Sequence, residues 1–127
     1  MRANRGRDTG PERAVRSQLH RAGARFRKDL RLDLPGGRVR PDIVFTRARV
    51  AVFVDGCFWH GCPEHAERPA ANAEFWREKF ASNQARDLRQ TAMLRDAGWR
   101  VIRIWEHEDP REAAERVLAV LAEPPSR

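Results

Sequence analysis

Two apolar runs on either side of one short basic turn constrain this fold more than any other feature of the chain. Asp42-Ile43-Val44-Phe45-Thr46 and Val50-Ala51-Val52-Phe53-Val54-Asp55 flank Thr46-Arg47-Ala48-Arg49. They read as paired β-strands, rich in branched and aromatic residues. Neither alternates with polar residues, so both faces are buried and helices must cover the sheet.

The remaining pattern supplies those helices. Asp8 or Thr9 can cap a helix that begins at Pro11, with Glu12 in its first turn where the helix dipole favours an acid. Val15, Leu19 and Ala22 share a face, and Gly23 ends it. Phe26 to Leu34 reads as an irregular strand with Leu30, Leu32 and Leu34 alternating, closed by the turn Pro35-Gly36-Gly37. Cys57 to Ala71 is loop. Asn72 to Ala97 is the longest helix, with Phe75, Phe80, Leu88 and Leu94 as parts of its apolar stripe and Gly98 after it. Trp99 to Trp105 is a third apolar strand, and a last helix follows Pro110 through Val117, Leu118 and Leu121. The order α-β-β-β-α-β-α predicts an α/β fold, a mixed sheet flanked by helices.

With 127 residues the chain is expected to form one domain over 1–127, with a basic arm at 1–9 and a loose tail at 123–127. No run approaches the roughly 20 apolar residues of a membrane helix. The basic N-terminus has no apolar segment behind it, so a cytoplasmic protein without a membrane partner is expected. A net charge of +7 favours a polyanionic partner, and nearly all of the basic residues are Arg. An Arg-rich genome would write the same excess.

Chemistry-bearing residues crowd around the two runs. Asp42 opens a buried strand after Pro41, where a carboxylate is costly unless paired or bound to metal. It either pairs with Arg40 or Arg38 or binds a cation. Asp55 ends the neighbouring strand. It either caps the turn at Gly56 or shares a hard cation such as Mg²⁺ with Asp42. Cys57, Cys62 and His65 follow in a Cys-x4-Cys-x2-His pattern that suits tetrahedral Zn²⁺, with His107 the best remaining fourth ligand. Zinc would staple the loop to the sheet; the alternative is two ordinary cysteines. His60 is left over as a general base near neutral pH, unless it and not His65 ligates zinc. Phe58, Trp59 and Trp76 either stack on bases or pack over the loop. By pattern alone, Glu12 and Asp87 read as solvated helix acids.

Taken together, Arg40-Pro41-Asp42-Ile43-Val44-Phe45, Val52-Phe53-Val54-Asp55-Gly56-Cys57-Phe58-Trp59-His60, Phe75-Trp76 with Lys79, Asn83 and Arg86-Asp87, Gly98-Trp99-Arg100-Val101 and Trp105-Glu106 closely resemble the very short patch repair (Vsr) endonucleases over residues 8 to 109. The resemblance implies a restriction-endonuclease-like fold with a zinc-stapled loop. It also implies a Mg²⁺-dependent enzyme that nicks double-stranded DNA at T:G mismatches and acts as a monomer. By matching position it makes Asp42 the principal Mg²⁺ ligand with the Val54 carbonyl assisting, and His60 the general base. Glu12 and Asp87 would hold metal-bound waters. Cys57, Cys62, His65 and His107 would bind zinc, and Phe58, Trp59 and Trp76 would form a wedge entering the duplex. The best-known members carry His where this chain has Asp55, so this extra carboxylate either joins the metal shell or replaces a phosphate-contacting His. Two other readings use the same residues: a nicking or restriction-type nuclease with another target, and a non-catalytic zinc-stapled DNA-binding module.

Overall fold

The computed structural model describes residues 10–56 and 73–123. The two central runs pair as expected. Ile43–Phe45 (β4) lies antiparallel to Val50–Asp55 (β5), with Ile43 opposite Val52 and Phe45 opposite Val50. Arg49, in the left-handed region at φ 57°, lies in the turn between them. On the other side of β5, Arg100–Trp105 (β6) runs parallel, from Val50 opposite Arg100 to Asp55 opposite Trp105. A two-residue edge strand, Arg27–Lys28 (β1), pairs antiparallel with β4 and completes a four-stranded mixed sheet in the order β1-β4-β5-β6.

The expected irregular strand over 26–34 is two elements. The chain breaks at Asp29, which adopts a positive φ of 52°. Leu32–Leu34 (β2) then leaves the main sheet and forms a separate antiparallel hairpin with Gly37–Val39 (β3). A residue in the left-handed region cannot continue a strand, so the alternation of leucines does not carry across it.

Among the described residues, three helices cover the sheet. Gly10–Arg21 (α1) and Pro110–Ala122 (α3) lie on one face, where Val15, Leu19, Ala113, Ala114 and Val117 pack against inward residues of β4, β5 and β6. Asp109 caps α3 by accepting a hydrogen bond from the Glu112 N–H at 3.1 Å. Ala73–Asp96 (α2) and the β2–β3 hairpin cover the other face, where Val39, Ala51, Phe53 and Leu94 are buried together. This double cover is why β5 has no polar alternation.

The expected stripe on α2 is only half buried. Phe80 and Leu94 are buried, but Phe75 and Leu88 are 53% and 72% exposed. At 24 residues α2 is about 36 Å long, whereas six-residue strands span about 20 Å, so the helix overruns the sheet. Within the covered part, Leu88 sits about 120° around the helix from Leu94 and faces away. Asp87 is only about 20° from Leu94 and so shares the sheet-facing side. Among the described residues, no helix is long and apolar enough to cross a membrane.

Candidate functional site

The end of the sheet where β4 begins and β5 finishes gathers the acids. Asp42 directly precedes β4, and its N–H extends the ladder to the Val52 carbonyl at 3.0 Å. Its side chain turns back under β5 and accepts the Val54 N–H through Oδ2 at 2.6 Å. Asp42 is thus held by strand backbone on both its main chain and its carboxylate. Neither Arg38 nor Arg40 is its partner in any described contact.

Glu12 approaches from the first turn of α1. It is 2% exposed and makes an ion pair with Arg16 one turn later, at 3.5 Å. Asp29 approaches from the break after β1; its N–H donates to the Asp42 carbonyl at 3.2 Å. Carboxylate oxygens of Glu12, Asp29 and Asp42 all lie within 4.8 Å of one another. Asp can occupy the left-handed region more readily than most residues, which lets Asp29 turn its side chain into this corner.

The electrostatics follow from that crowding. The Asp42 carboxyl is pushed up from 3.8 to about 8. Burial is the main cause. The Val54 N–H opposes it by stabilising the anion, while the charge of Glu12, its shared hydrogen bond and the charge of Asp55 all raise it further. A partly buried group of acids that holds a proton at neutral pH is relieved by a hard divalent cation, which replaces the proton with two positive charges. The donor set fits a hard divalent cation: all-oxygen, carboxylate and close enough for one ion to be shared.

Asp55, the other strand-end carboxylate, is engaged differently. It is buried at 8% exposure, and both of its oxygens accept from Nη1 of Arg103, at 3.1 and 3.2 Å. Asp87, brought to the same corner by the sheet-facing side of α2, has Oδ1 3.8 Å from the same nitrogen. A cleft of about 600 Å³ opens here, lined by Asp55, Asp87, Leu88, Thr91, Arg95 and Trp105 among others.

The structure therefore brings Glu12 and Asp42 together and places Asp55 and Asp87 beside each other around Arg103. Sequence reasoning missed two of the residues involved. Asp29 was hidden inside the supposed strand, although a Lys-Asp pair interrupting apolar alternation was a sign. Arg103 was hidden by its strand, although a cation in the middle of Val-Ile-Arg-Ile-Trp demands a buried partner. His107 is exposed in the turn after β6. Cys57, Phe58, Trp59, His60, Cys62 and His65 lie outside the described residues, as does the side chain of Trp76.

Comparison with known proteins shows which family the chain is similar to. The family model for the DNA mismatch endonuclease Vsr matches residues 1–66, the half of the chain that carries Glu12, Asp29, Asp42 and Asp55. The type II nicking enzyme V.NaeI of Lentzea aerocolonigenes is 49% identical over 122 residues, covering 95% of this chain and 74% of its own. The type II nicking enzyme V.XorIIP of Xanthomonas oryzae pv. oryzae is 46% identical over 110 residues, with 85% and 77% covered. The DNA mismatch endonuclease Vsr of Escherichia coli (strain K12) is 41% identical over 107 residues, with 84% and 66% covered.

Proposed function

This chain belongs to the Vsr family and is a DNA-cleaving hydrolase, and from that premise we propose that it nicks one strand of double-stranded DNA at a T:G mismatch with the help of Mg²⁺. The observation that carries the metal part of this reading is the partly buried Glu12–Asp29–Asp42 cluster with its proton-holding Asp42.

In this reading Asp42 is the principal ligand, oriented by the Val54 N–H and by the strand backbone it extends. The Val54 carbonyl lies on the same strand end and assists. Glu12 and Asp29 complete an oxygen cradle or hold water against it. When bound, Mg²⁺ polarises the scissile phosphate and offsets the charge that develops on it. His60 takes the proton from the attacking water, and Asp87 orients water from the α2 side. Phe58, Trp59 and Trp76 wedge into the duplex beside the mispair. Unstacking a step costs roughly a few kcal/mol and is cheapest where pairing is already weak, so part of the selectivity comes from the mispair itself. One site cuts one strand, so a monomer suffices.

Zinc belongs to the same proposal, held by Cys57, Cys62, His65 and His107. Two thiolates and two imidazoles are the donors a tetrahedral Zn²⁺ takes. The sheet supports the pairing of two of them. Asp55 lies opposite Trp105 on parallel neighbouring strands, and Glu106 continues the ladder to the Asp55 carbonyl at 3.0 Å. Cys57 and His107 each follow that rung by two residues.

One observation favours a different target for the same chemistry: several relatives are named type II nicking enzymes rather than mismatch endonucleases. A single assay decides. A labelled duplex with one T:G mismatch and its fully paired twin are each incubated with Mg²⁺ and with EDTA. Mg²⁺-dependent nicking of the mismatched T strand alone is expected. Equal cutting of both duplexes would transfer the reading to a sequence-directed nickase.

A further inference from the structure

Arg103 engages partners with every nitrogen of its side chain. Nη1 donates to both oxygens of Asp55, Nη2 donates to the Asp87 carbonyl at 3.1 Å, and Nε donates to Thr91 Oγ1 at 3.0 Å. Its guanidinium carbon lies 4.1 Å from the centre of the Phe53 ring, whose residue is its register partner on β5. Every nitrogen of the guanidinium thus has a partner, on two different elements, β5 and α2.

The placement matters because of what Asp55 would otherwise do. A carboxylate at the end of β5, one residue beyond the strand position that holds Asp42, is within the field of the acidic cluster and raises the Asp42 pKa. An uncommitted carboxylate there would be a natural additional ligand for a hard cation. Here Nη1 alone occupies both of its oxygens, while Nη2 and Nε hold α2, so the charged hydrogen bonds commit the carboxylate to Arg103. The same guanidinium bonds the α2 backbone at Asp87 and so ties the helix to the strand end.

We propose that Arg103 is a positioning residue of the nuclease site, which commits Asp55 as its counter-ion, keeps that carboxylate out of the cation's coordination shell and tethers Asp87 to the same corner. This rests on the metal-dependent nuclease reading above and adds to it a residue that acts through two others. Asp55 here is a charge-compensating partner, not a metal ligand.

The test uses Mn²⁺ binding to the full chain, followed calorimetrically and by its paramagnetic resonance, alongside nicking of the T:G duplex. In R103M the freed Asp55 joins the cluster, so Mn²⁺ binds at least tenfold tighter or a second ion enters. The double variant R103M/D55N returns to wild-type Mn²⁺ binding, and D55N alone stays near wild type. Nicking by R103M falls at least tenfold in kcat, with KM for the duplex within threefold. Equal Mn²⁺ binding by wild type, R103M and R103M/D55N would overturn the proposal and leave Arg103 a structural tie. R103M strands a buried anion and can fail to fold. R103K, which keeps the charge but cannot reach Asp55, Asp87 and Thr91 together, then stands in, with Mn²⁺ binding at least threefold tighter expected and unchanged binding counting against the idea. If wild type does not nick the duplex at all, the mismatch reading fails while the Mn²⁺ series still decides the role of Arg103.

Discussion

Asp42 and Asp55 sit at the same end of the same sheet, on neighbouring strands, and both are largely removed from water, yet the protein treats them in opposite ways. Asp55 is given a guanidinium that binds both of its oxygens. Asp42 is given two more acids and one backbone N–H. The first arrangement neutralises a buried charge with a cation from the chain. The second leaves the charge uncompensated, so that Asp42 keeps a proton up to about pH 8. The contrast teaches which corner the chain neutralises itself and which would gain from an external cation. A site that must bind a metal cannot satisfy its carboxylates beforehand.

The largest expected effect comes from removing the uncompensated acid. Asp42→Asn is expected to lower nicking about a thousandfold, since several kcal/mol of charge stabilisation depends on the ion it holds. The same variant should be more stable than wild type in metal-free buffer at pH 8, read by urea denaturation. If Asp42→Asn nicks at the wild-type rate, the difference between the two corners has no functional meaning.

The compensated corner should respond the other way. Asp55→Ala leaves the Arg103 guanidinium without its main partner in a half-buried setting and is expected to cost about 3 kcal/mol of folding stability. A loss below about 0.5 kcal/mol would mean that this ion pair is no more than a surface contact.

A third prediction concerns pH. Asp42 ionises near 3.8 in an unfolded chain and near 8 in the folded one. Between those values the folded state retains a proton that the unfolded state has lost. Metal-free stability therefore falls as pH rises from about 4 to about 8 and levels above that. Cation binding must expel the same proton. The apparent Mg²⁺ affinity, measured by thermal shift, should rise about tenfold per pH unit between pH 6 and 8 and then plateau. A flat profile across that range would show that Asp42 is already ionised in the free protein.

The smallest effect is expected at Asp29. Asp29→Asn keeps an oxygen donor and tolerates the positive φ, but removes one charge from the cradle. It should weaken Mn²⁺ binding roughly fivefold while leaving folding stability within about 0.5 kcal/mol. No change in Mn²⁺ binding would reduce the cradle to Glu12 and Asp42.

Much of this was legible beforehand where local rules sufficed. Asp42 and Asp55 were recognisable because a carboxylate next to an unbroken apolar run is costly wherever the run folds. Strands β4, β5 and β6 and the helices α1, α2 and α3 followed from periodicity, Pro and Gly. Where one residue's backbone geometry decides, periodicity gave the wrong answer: Asp29 breaks what looked like one strand into β1 and β2. The stripe on α2 failed for a different reason. Apolar residues at approximate helical spacing need not share one face, and Leu88 points about 120° away from Leu94.

The sequence by itself determined the α/β class, the buried central hairpin, the two strand-end carboxylates and, through its motifs, the family. Those are properties of nearest neighbours along the chain and of short repeats, which need no partner from elsewhere. Only the tertiary structure decided which acids share a corner. Glu12 reaches Asp42 from a helix 30 residues earlier, and Arg103 reaches Asp55 from a strand 48 residues later. Electrostatic energy depends on distance in space and on access to water, and neither is a property of sequence separation.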